Sequence, residues 1–522
     1  MRRGRETGPI VYHGAMAPSL ERSAGVLLHP TSLPSRFGTG DLGPAAVAYL
    51  RWLAGAGVTW WQVLPLHPPG PGRSPYSALS TFAGNELLIS PGRLAEEGLV
   101  DPAWLDGAPS LPAEWVDFGA VEYWKGGLLR EAFDRHRQQR RADLLQDLAE
   151  FRSRHSHWLD DFALFLALRR AHDGRAWYDW PRPLAFRDPA ALAGWATDHR
   201  HEIELVVFCQ FLFFRQWEAL RAAARQEGVS ILGDVPIFVA LDSADVWAHP
   251  ELFLLDGERR PRVVAGVPPD YFSATGQLWG NPLYDWDAIA ADGYRWWIER
   301  LRHELTIADA VRLDHFRGFA AHWEVPASDA DATGGRWVEG PGRALFDAVA
   351  AALGGLPFVA EDLGEITAEV VALRKDLGLP GMAILQFAFN PADRSLFLPY
   401  KLERDLVVYT GTHDNNTSLG WYLEDASAAE RDLLRRYCGT DGHEIHWDMI
   451  RLALGSVAEL AVIPHQDLAG LGGDCRMNTP GVAEGNWRFR VTPWMLSEDI
   501  QQRLADMIWT YGRAPTRPGD RI

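Results

Sequence analysis

The sequence predicts an α/β protein, a (β/α)8 TIM barrel with large, mostly helical insertions between the barrel strands. Short apolar runs of β-type composition recur along the chain, helical patterns lie between them, and several runs end at an acidic residue. Runs of this length, bounded by turn residues, are typical of buried parallel strands. A doubly wound parallel sheet shows the same alternation and is the alternative. The runs occupy residues 25–29, 58–64, 229–234, 310–314, 358–362, 382–387 and 406–410.

The spacing between the runs predicts where the insertion lies. Apolar residues recur at helical spacing in residues 45–55 and 294–305, which we expect to be helices between strands. The stretch from residue 64 to residue 229 is much longer than one crossover between parallel strands needs. We therefore expect a single catalytic barrel unit over residues 1–522, with a mostly helical insertion at approximately residues 80–228.

The charge and the cysteines narrow the class of protein. With 51 Lys+Arg against 69 Asp+Glu, the 522-residue chain has a net charge of −18. A surface of this sign repels nucleic-acid phosphates and anionic membranes, so we expect neither as a partner. The longest apolar stretch, residues 205–214, is too short to span a bilayer. Three scattered cysteines and the lack of an apolar leader predict a cytoplasmic protein in a reducing compartment.

Two short motifs match well-known patterns but lack the residues that those patterns require. Residues 38–43 have the G-x-G-x-x-G spacing of a dinucleotide site, yet no acidic residue occurs between Asp41 and Glu86 to bind a ribose. His443 and His446 resemble the pair in H-E-x-x-H, but the second histidine comes one residue early. None of the three lysines is followed by Ser or Thr, so there is no P-loop. We expect neither a cofactor nor a metal.

Four acidic residues stand at or just beyond the ends of predicted strands. They are Asp234, Asp314, Glu361 and Asp414. In a parallel barrel the C-terminal strand ends meet at one rim, so these carboxylates would converge. One such residue alone is most simply a helix N-cap, whereas several together shift each other's pKa and can hold different protonation states. Glycosidic-bond chemistry needs this difference, because one carboxylate attacks while another donates a proton.

Longer motifs carry a resemblance to a known family. They occupy residues 28–35, 40–43, 74–77, 233–240, 266–273, 276–282, 312–318, 360–364, 411–415 and 478–481. In this order they resemble the 4-alpha-glucanotransferases, also called amylomaltases or disproportionating enzymes, which form glycoside hydrolase family seventy-seven of the alpha-amylase superfamily. Asn416 stands where an acidic residue is expected, and Val482 stands where a hydroxyl residue is usual. These departures bear on substrate preference and leave the three catalytic carboxylates in place.

The resemblance implies a role for each of those carboxylates. Asp314 matches the nucleophile and Glu361 the general acid/base, while Asp414 matches a third carboxylate that binds sugar hydroxyls and favours a distorted ring. The local spacing agrees, because Arg312 precedes Asp314 by two residues and points to the same side of the strand. A guanidinium there keeps Asp314 ionised, whereas nearby anions raise the pKa of Glu361.

The resemblance also implies which residues bind the substrate. Tyr76 is similar to the family's stacking residue, and His315 and His413 are expected to donate to sugar hydroxyls, the alternative being ordinary loop histidines. An active-site lid is expected at approximately residues 240–290, in which Tyr271, Phe272 and Trp279 would cover a bound glucan and exclude water. The expected substrate-binding residues are Tyr76, Asp234, Asp270, Gln277, Trp279, Asn281, Arg312, His315 and His413.

The function that the resemblance implies is transfer of α-1,4-glucan segments to the 4-OH of an acceptor glucan or glucose. It would proceed with retention through a covalent glycosyl-enzyme, and the expected partners are α-1,4-glucans and maltooligosaccharides. A hydrolase of the same superfamily, with water as the acceptor, is the alternative. A catalytically inactive glucan-binding protein is a third possibility, which the presence of all three carboxylates disfavours.

Overall fold

The computed structural model describes residues 20–269, 273–391 and 395–515, and within these ranges its strands form two sheets. Most of the strands are short and buried, because the apolar runs of the sequence lie inside the molecule. In chain order the strands are β1 (Ser23–Leu27), β2 (Trp60–Gln62), β3 (Ser230–Pro236), β4 (Val263–Val267), β5 (Gln277–Pro282), β6 (Ala310–Asp314), β7 (Ala321–Pro326), β8 (Arg336–Glu339), β9 (Phe358–Ala360), β10 (Gly381–Ile384), β11 (Leu406–Tyr409) and β12 (Leu460–Pro464).

The larger sheet is a closed parallel barrel. Its described strands pair in the order β10-β11-β12-β1-β2-β3-β6-β9, so neighbours around the barrel follow one another along the chain. The two end strands of this order also meet, because the amide of Ala360 donates to the carbonyl oxygen of Pro380 at 2.9 Å. Eight parallel strands closed in this way form the predicted (β/α)8 barrel, and the doubly wound alternative is wrong.

Helices surround this barrel and fill the long connection between β2 and β3. They are α1 (Pro44–Gly55), α2 (Pro91–Glu96), α3 (Pro102–Asp106), α4 (Phe118–Gln139), α5 (Ala142–Arg154), α6 (Leu159–Ala171), α7 (Arg182–Ala185), α8 (Pro189–Asp198), α9 (Arg200–Gln226), α10 (Ala244–Ala248), α11 (Trp286–Ala291), α12 (Arg295–Ile307), α13 (Arg317–Ala320), α14 (Gly342–Leu353), α15 (Ala368–Asp376), α16 (Ser418–Gly420), α17 (Ala428–Cys438), α18 (Ile445–Gly455), α19 (His465–Leu468) and α20 (Glu498–Thr510). Among the helices of the described ranges, none combines the length and the apolar character that a bilayer crossing requires.

Helix α9 joins the connecting helices to the barrel. Its apolar face is buried, and two polar groups on that face are paired with backbone. Gln210 exchanges two hydrogen bonds with the backbone of Gly84, at 2.7 and 2.9 Å, and the Trp217 indole donates to the carbonyl oxygen of Ile307 at 3.0 Å. Because a buried polar group is costly unless it is paired, these bonds fix the register of the helix against the loop at Gly84 and the end of α12.

The smaller sheet contains part of the segment that we expected to be a lid. It is antiparallel, with the order β5-β4-β7-β8. Along the chain, β4 and β5 precede barrel strand β6, and β7 and β8 follow it. Gln277, Trp279 and Asn281 therefore lie on a strand at the edge of a sheet, not on a loop. Asp270, Tyr271 and Phe272, to which we also assigned lid roles, lie outside the described residues.

Candidate active site

Strand ends at one rim of the barrel bring the predicted carboxylates together. Asp314 is the last residue of β6, Glu361 follows β9 directly, and Asp414 lies in the loop after β11. Backbone hydrogen bonds join the end of β6 and the loop after it to Glu361. The amide of Glu361 donates to Leu313 at 3.1 Å, and that of Phe316 donates to Glu361 at 3.0 Å. The rim position predicted from strand ends therefore holds for these three carboxylates, whereas Asp234 lies inside β3, two residues before its end.

Arg312 is the cation between two of these carboxylates. Its Nη1 donates to both oxygens of Asp234, at 2.9 and 3.0 Å, and lies 2.9 Å from Oδ1 of Asp314. Burial by itself lowers the pKa of the Arg312 guanidinium, but Asp234 and Asp314 raise it well above its usual value. Arg312 thus stays charged and holds the Asp314 carboxylate in one place.

Asp234 is buried beneath this ion pair. Burial raises its pKa to about 6, and the charge of Arg312 opposes that shift. The hydroxyl of Tyr76 donates to Oδ2 of Asp234 at 2.7 Å. Asp234 therefore joins Tyr76 to Arg312, so the aromatic ring is fixed relative to Asp314.

Glu361 lies in the loop beside Asp314 and accepts two backbone hydrogen bonds. The amide of His315 donates to Oε2 at 2.7 Å and the amide of Leu363 to Oε1 at 3.1 Å. Burial raises the pKa of Glu361 to about 7, and Asp314 adds to the rise, while Arg312 and the two amides oppose it. A carboxyl group with a pKa near neutrality can both donate and accept a proton at physiological pH.

Asp414 has the opposite electrostatic character. Its Oδ2 lies 3.3 Å from Nε2 of His413, and its Oδ1 accepts from Nδ2 of Asn478 at 2.6 Å. Burial alone would raise the pKa of Asp414, but His413 and Asn478 hold it well below its usual range. The same contact raises the pKa of His413 despite the opposing effect of burial. With 47% of its side chain exposed, Asp414 is an anion that faces the rim.

An aromatic platform lies against this pair. The ring of Tyr76 stacks on the His413 imidazole, with centroids 4.8 Å apart and an interplanar angle of 15°. Trp487 packs against both rings at 5.9 and 5.8 Å. Flat faces beside hydrogen-bonding side chains are suited to the apolar faces and the hydroxyls of a sugar ring.

The three described lid residues differ in what they contact. The Trp279 indole is 39% exposed and meets the His315 ring edge-on, with centroids 4.8 Å apart. Its Nε1 donates to Oε1 of Gln277 at 3.1 Å. Asn281 instead donates to the backbone carbonyl of Val239 at 2.9 Å. Trp279 and Gln277 therefore lie at the site, whereas the Asn281 amide holds the strand against the loop after β3.

Two residues of the site were not among those predicted from the sequence. Asn478 is part of the motif at residues 478–481 that carries the family resemblance, so the sequence could have identified it, but no role was assigned to it. Trp487 has no local pattern that distinguishes it from the other tryptophans, and it comes to Tyr76 only through the fold. Within the described ranges, no group of three or more His, Cys, Asp or Glu side chains is arranged to hold a metal ion.

The chemistry available at this rim is that of a carboxylate held by a cation beside a carboxyl group that can exchange a proton. Asp314 is paired with a fixed guanidinium, and Glu361 beside it has a pKa raised to about 7. Such a pair, at the C-terminal rim of a (β/α)8 barrel and next to an aromatic platform, defines the class of barrel enzymes that process glycosidic bonds.

Known proteins identify the family within this class. The model of glycoside hydrolase family 77, described as 4-alpha-glucanotransferase, matches residues 28–497. The chain is 48% identical over 497 residues to the 4-alpha-glucanotransferase of Synechocystis sp., covering 94% of this chain and 98% of that protein. It is 49% identical over 496 residues to that of Thermus thermophilus, with 94% and 98% covered. An amylomaltase structure from Streptococcus agalactiae in complex with acarbose has a TM-score of 0.92 at 33% identity, covering 95% of this chain and 100% of that one. The chain belongs to the 4-alpha-glucanotransferase family.

Proposed function

We propose that this protein transfers α-1,4-glucan segments from a donor to the 4-OH of an acceptor, with retention of configuration. The observation that carries the proposal is the pairing of Asp314 with Arg312 next to Glu361, whose pKa is raised to about 7. The names of the relatives and the acarbose bound to the Streptococcus agalactiae amylomaltase support a substrate of linked glucose units.

In the first half of the reaction, Asp314 is the nucleophile and Glu361 the acid. The Asp314 carboxylate attacks the anomeric carbon as the glycosidic bond breaks, and Glu361 gives its proton to the departing 4-oxygen. The products are an ester between Asp314 and the glycosyl group, a free 4-OH on the leaving glucan, and an ionised Glu361. Arg312 favours this step because its Nη1 lies 2.9 Å from Oδ1 of Asp314 and holds the carboxylate in place.

In the second half, the acceptor's 4-OH takes the place of the leaving glucan. Glu361 removes its proton as the oxygen attacks the anomeric carbon, and the bond to Asp314 breaks. Two inversions at one carbon restore the α configuration. Asp414 would accept from sugar hydroxyls, as an anion held by His413 and Asn478. The Tyr76 ring would form the stacking surface for the transferred glucose.

Incubation of the pure protein with maltotriose tests the transfer reaction. A ladder of longer maltooligosaccharides together with glucose is the expected result, resolved by anion-exchange chromatography. Products that are exclusively shorter than maltotriose would instead identify a hydrolase. Glucan binding without any product would identify a binding protein.

The configuration of the first products gives a separate prediction. We expect α-anomers, because a double displacement retains configuration and places the two carboxyl groups about 5–5.5 Å apart, against 6.5–9.5 Å for inversion. Proton NMR of the anomeric region measures this directly, because the new glycosidic linkage does not mutarotate. New β-linkages would rule out Asp314 as a nucleophile.

Trp279 is proposed to limit the access of water to the glycosyl-enzyme, as part of a lid. In the Trp279→Ala variant we expect the ratio of hydrolysis to transfer to rise roughly two- to tenfold, which corresponds to the loss of one aromatic contact worth about 0.5–1.5 kcal/mol. Released reducing ends and transfer products from maltotriose give the ratio. Trp494→Ala is the matched control, because this tryptophan is 56% exposed and precedes α20, whereas Trp279 lies on β5. An unchanged ratio in Trp279→Ala would remove the lid role.

We also propose that the protein is located in the cytoplasm. A cytoplasmic protein is supported by the free thiols of Cys209, Cys438 and Cys475, since paired cysteines are common in oxidising compartments and rare in reducing ones.

A further inference from the structure

The turn that follows Asp314 has an unusual backbone. His315 has a φ of 53°, in the left-handed region that non-glycine residues seldom occupy because the conformation is strained. The strained residue is also the one whose amide donates to Oε2 of Glu361 at 2.7 Å. The position of that amide therefore depends on whatever holds the turn in its strained form.

Arg317, at the start of α13, joins this turn to the loop of the acid/base. Its Nη1 donates to the carbonyl oxygen of Glu365, four residues beyond Glu361. The side chain is largely buried, at 7% exposure, and Nε has no hydrogen-bond partner within the described part of the chain. A buried guanidinium with an unpaired donor is costly, so its position is maintained by something other than hydrogen bonding alone.

Trp337 on β8 supplies that support. The Arg317 guanidinium lies over its indole ring, with the guanidinium carbon 3.7 Å from the ring centroid. The hairpin of β7 and β8 folds back to bring Trp337 there, because β7 begins directly after α13. The end of the hairpin is tied to the same helix, since the amide of Gly340 donates to Ala320 at 2.8 Å and a Cβ at Gly340 would clash with the carbonyl oxygen of Phe319.

The small sheet thus contacts the catalytic turn from both of its edges. Trp279 on β5 meets the His315 ring, and Trp337 on β8 meets the Arg317 guanidinium. We propose that Arg317, braced by Trp337, is a positioning residue that holds the His315 amide on Glu361 and so sets the proton affinity of the acid/base. This inference rests on the proposed role of Glu361.

The effect of the His315 amide on the pKa of Glu361 can be separated from the effect of nearby charges. After burial, the largest effects on its pKa come from Arg312 and Asp314, both on β6, and from the amides of His315 and Leu363. Trp337→Leu changes no charge, and Arg317→Lys retains one while losing the planar stacked group. A shift of the Glu361 pKa in these variants would therefore come from displacement of the His315 amide.

The experiment measures kcat/KM against pH for the wild type, Trp337→Leu and Arg317→Lys. Loss of a hydrogen bond to the ionised Glu361 carboxylate raises its pKa. The alkaline limb of the kcat/KM profile should therefore move to higher pH by roughly half a pH unit or more. Misplacement of the acid/base should lower kcat roughly 10- to 100-fold while KM changes little. Arg336→Gln is the control. Arg336 precedes Trp337 on β8 and points to the opposite face of the sheet, and its ion pair with Glu324 stabilises the same hairpin. It should lower the melting temperature without moving the limb.

Two outcomes would overturn the inference. One is an unmoved limb in Trp337→Leu and Arg317→Lys with a lower melting temperature, which is the pattern of a purely structural role. The other is a crystal structure of Trp337→Leu that retains the 2.7 Å contact between His315 and Glu361, where we expect a separation beyond about 3.5 Å. The crystal structure does not depend on activity. It therefore decides the inference even if Glu361→Gln shows that the alkaline limb belongs to another group and the proposed function fails.

Discussion

Replacing Asp314 by Asn is expected to lower transfer from maltotriose by roughly 10⁴- to 10⁶-fold, the range seen when a covalent nucleophile is removed. An amide cannot form the glycosyl ester, so the double displacement has no first step. The loss should appear in kcat and kcat/KM alike, since the missing interaction exists only on the way to the intermediate. Initial rates of glucose release and of oligosaccharide formation measure it.

The change also leaves Arg312 without one of its two carboxylate partners. Asp234 still pairs with that guanidinium at 2.9 Å, so a folded protein is expected. Circular dichroism and a glucan-binding titration by calorimetry provide the control, and both should be close to the wild type. If the variant kept more than a tenth of wild-type turnover, another residue would have to be the nucleophile.

Much of this site could be predicted because its residues follow directly from strands. An apolar run that ends in an acidic residue places that residue at the barrel rim, as with Asp314 at the end of β6 and Glu361 directly after β9. The link between Arg312 and Asp314 is similarly local, since residues two apart point to the same side of a strand. These relations depend on short stretches of sequence.

The residues that escaped prediction depend on distant contacts or on weak local patterns. Strand β12 was not among the predicted runs, although residues 460–464 form a short apolar stretch that ends at Pro464. Strand β5 reads as a loop because it is polar and mostly exposed, and its pairing with β4 makes it a strand. Trp487 lies more than 400 positions beyond Tyr76 in the chain, and no spacing in the sequence relates the two.

Glu361→Gln is expected to lose roughly 10²- to 10⁴-fold in activity on maltotriose, the usual contribution of a general acid or base. The wild-type kcat/KM should fall as the pH rises through about 7, because the pKa of Glu361 is raised to about 7 by burial and the protonated form is the acid. An amide does not titrate, so the residual activity of the variant should lack this limb. A limb that persists in Glu361→Gln would assign it to another group.

A substrate whose leaving group needs no proton separates the two carboxyl groups. With α-maltotriosyl fluoride, fluoride departs unaided as Asp314 bonds to the anomeric carbon, so the first step should proceed in Glu361→Gln. The second step lacks its base, because the amide cannot take the proton of an acceptor hydroxyl. The glycosyl-enzyme should therefore accumulate, and intact-protein mass spectrometry should detect the added maltotriosyl group. Asp314→Asn under the same conditions should show no adduct, since it has no carboxylate to form the ester. Two results would show that the roles of acid and nucleophile are assigned to the wrong residues. One is an adduct in Asp314→Asn, and the other is fluoride release without an adduct in Glu361→Gln.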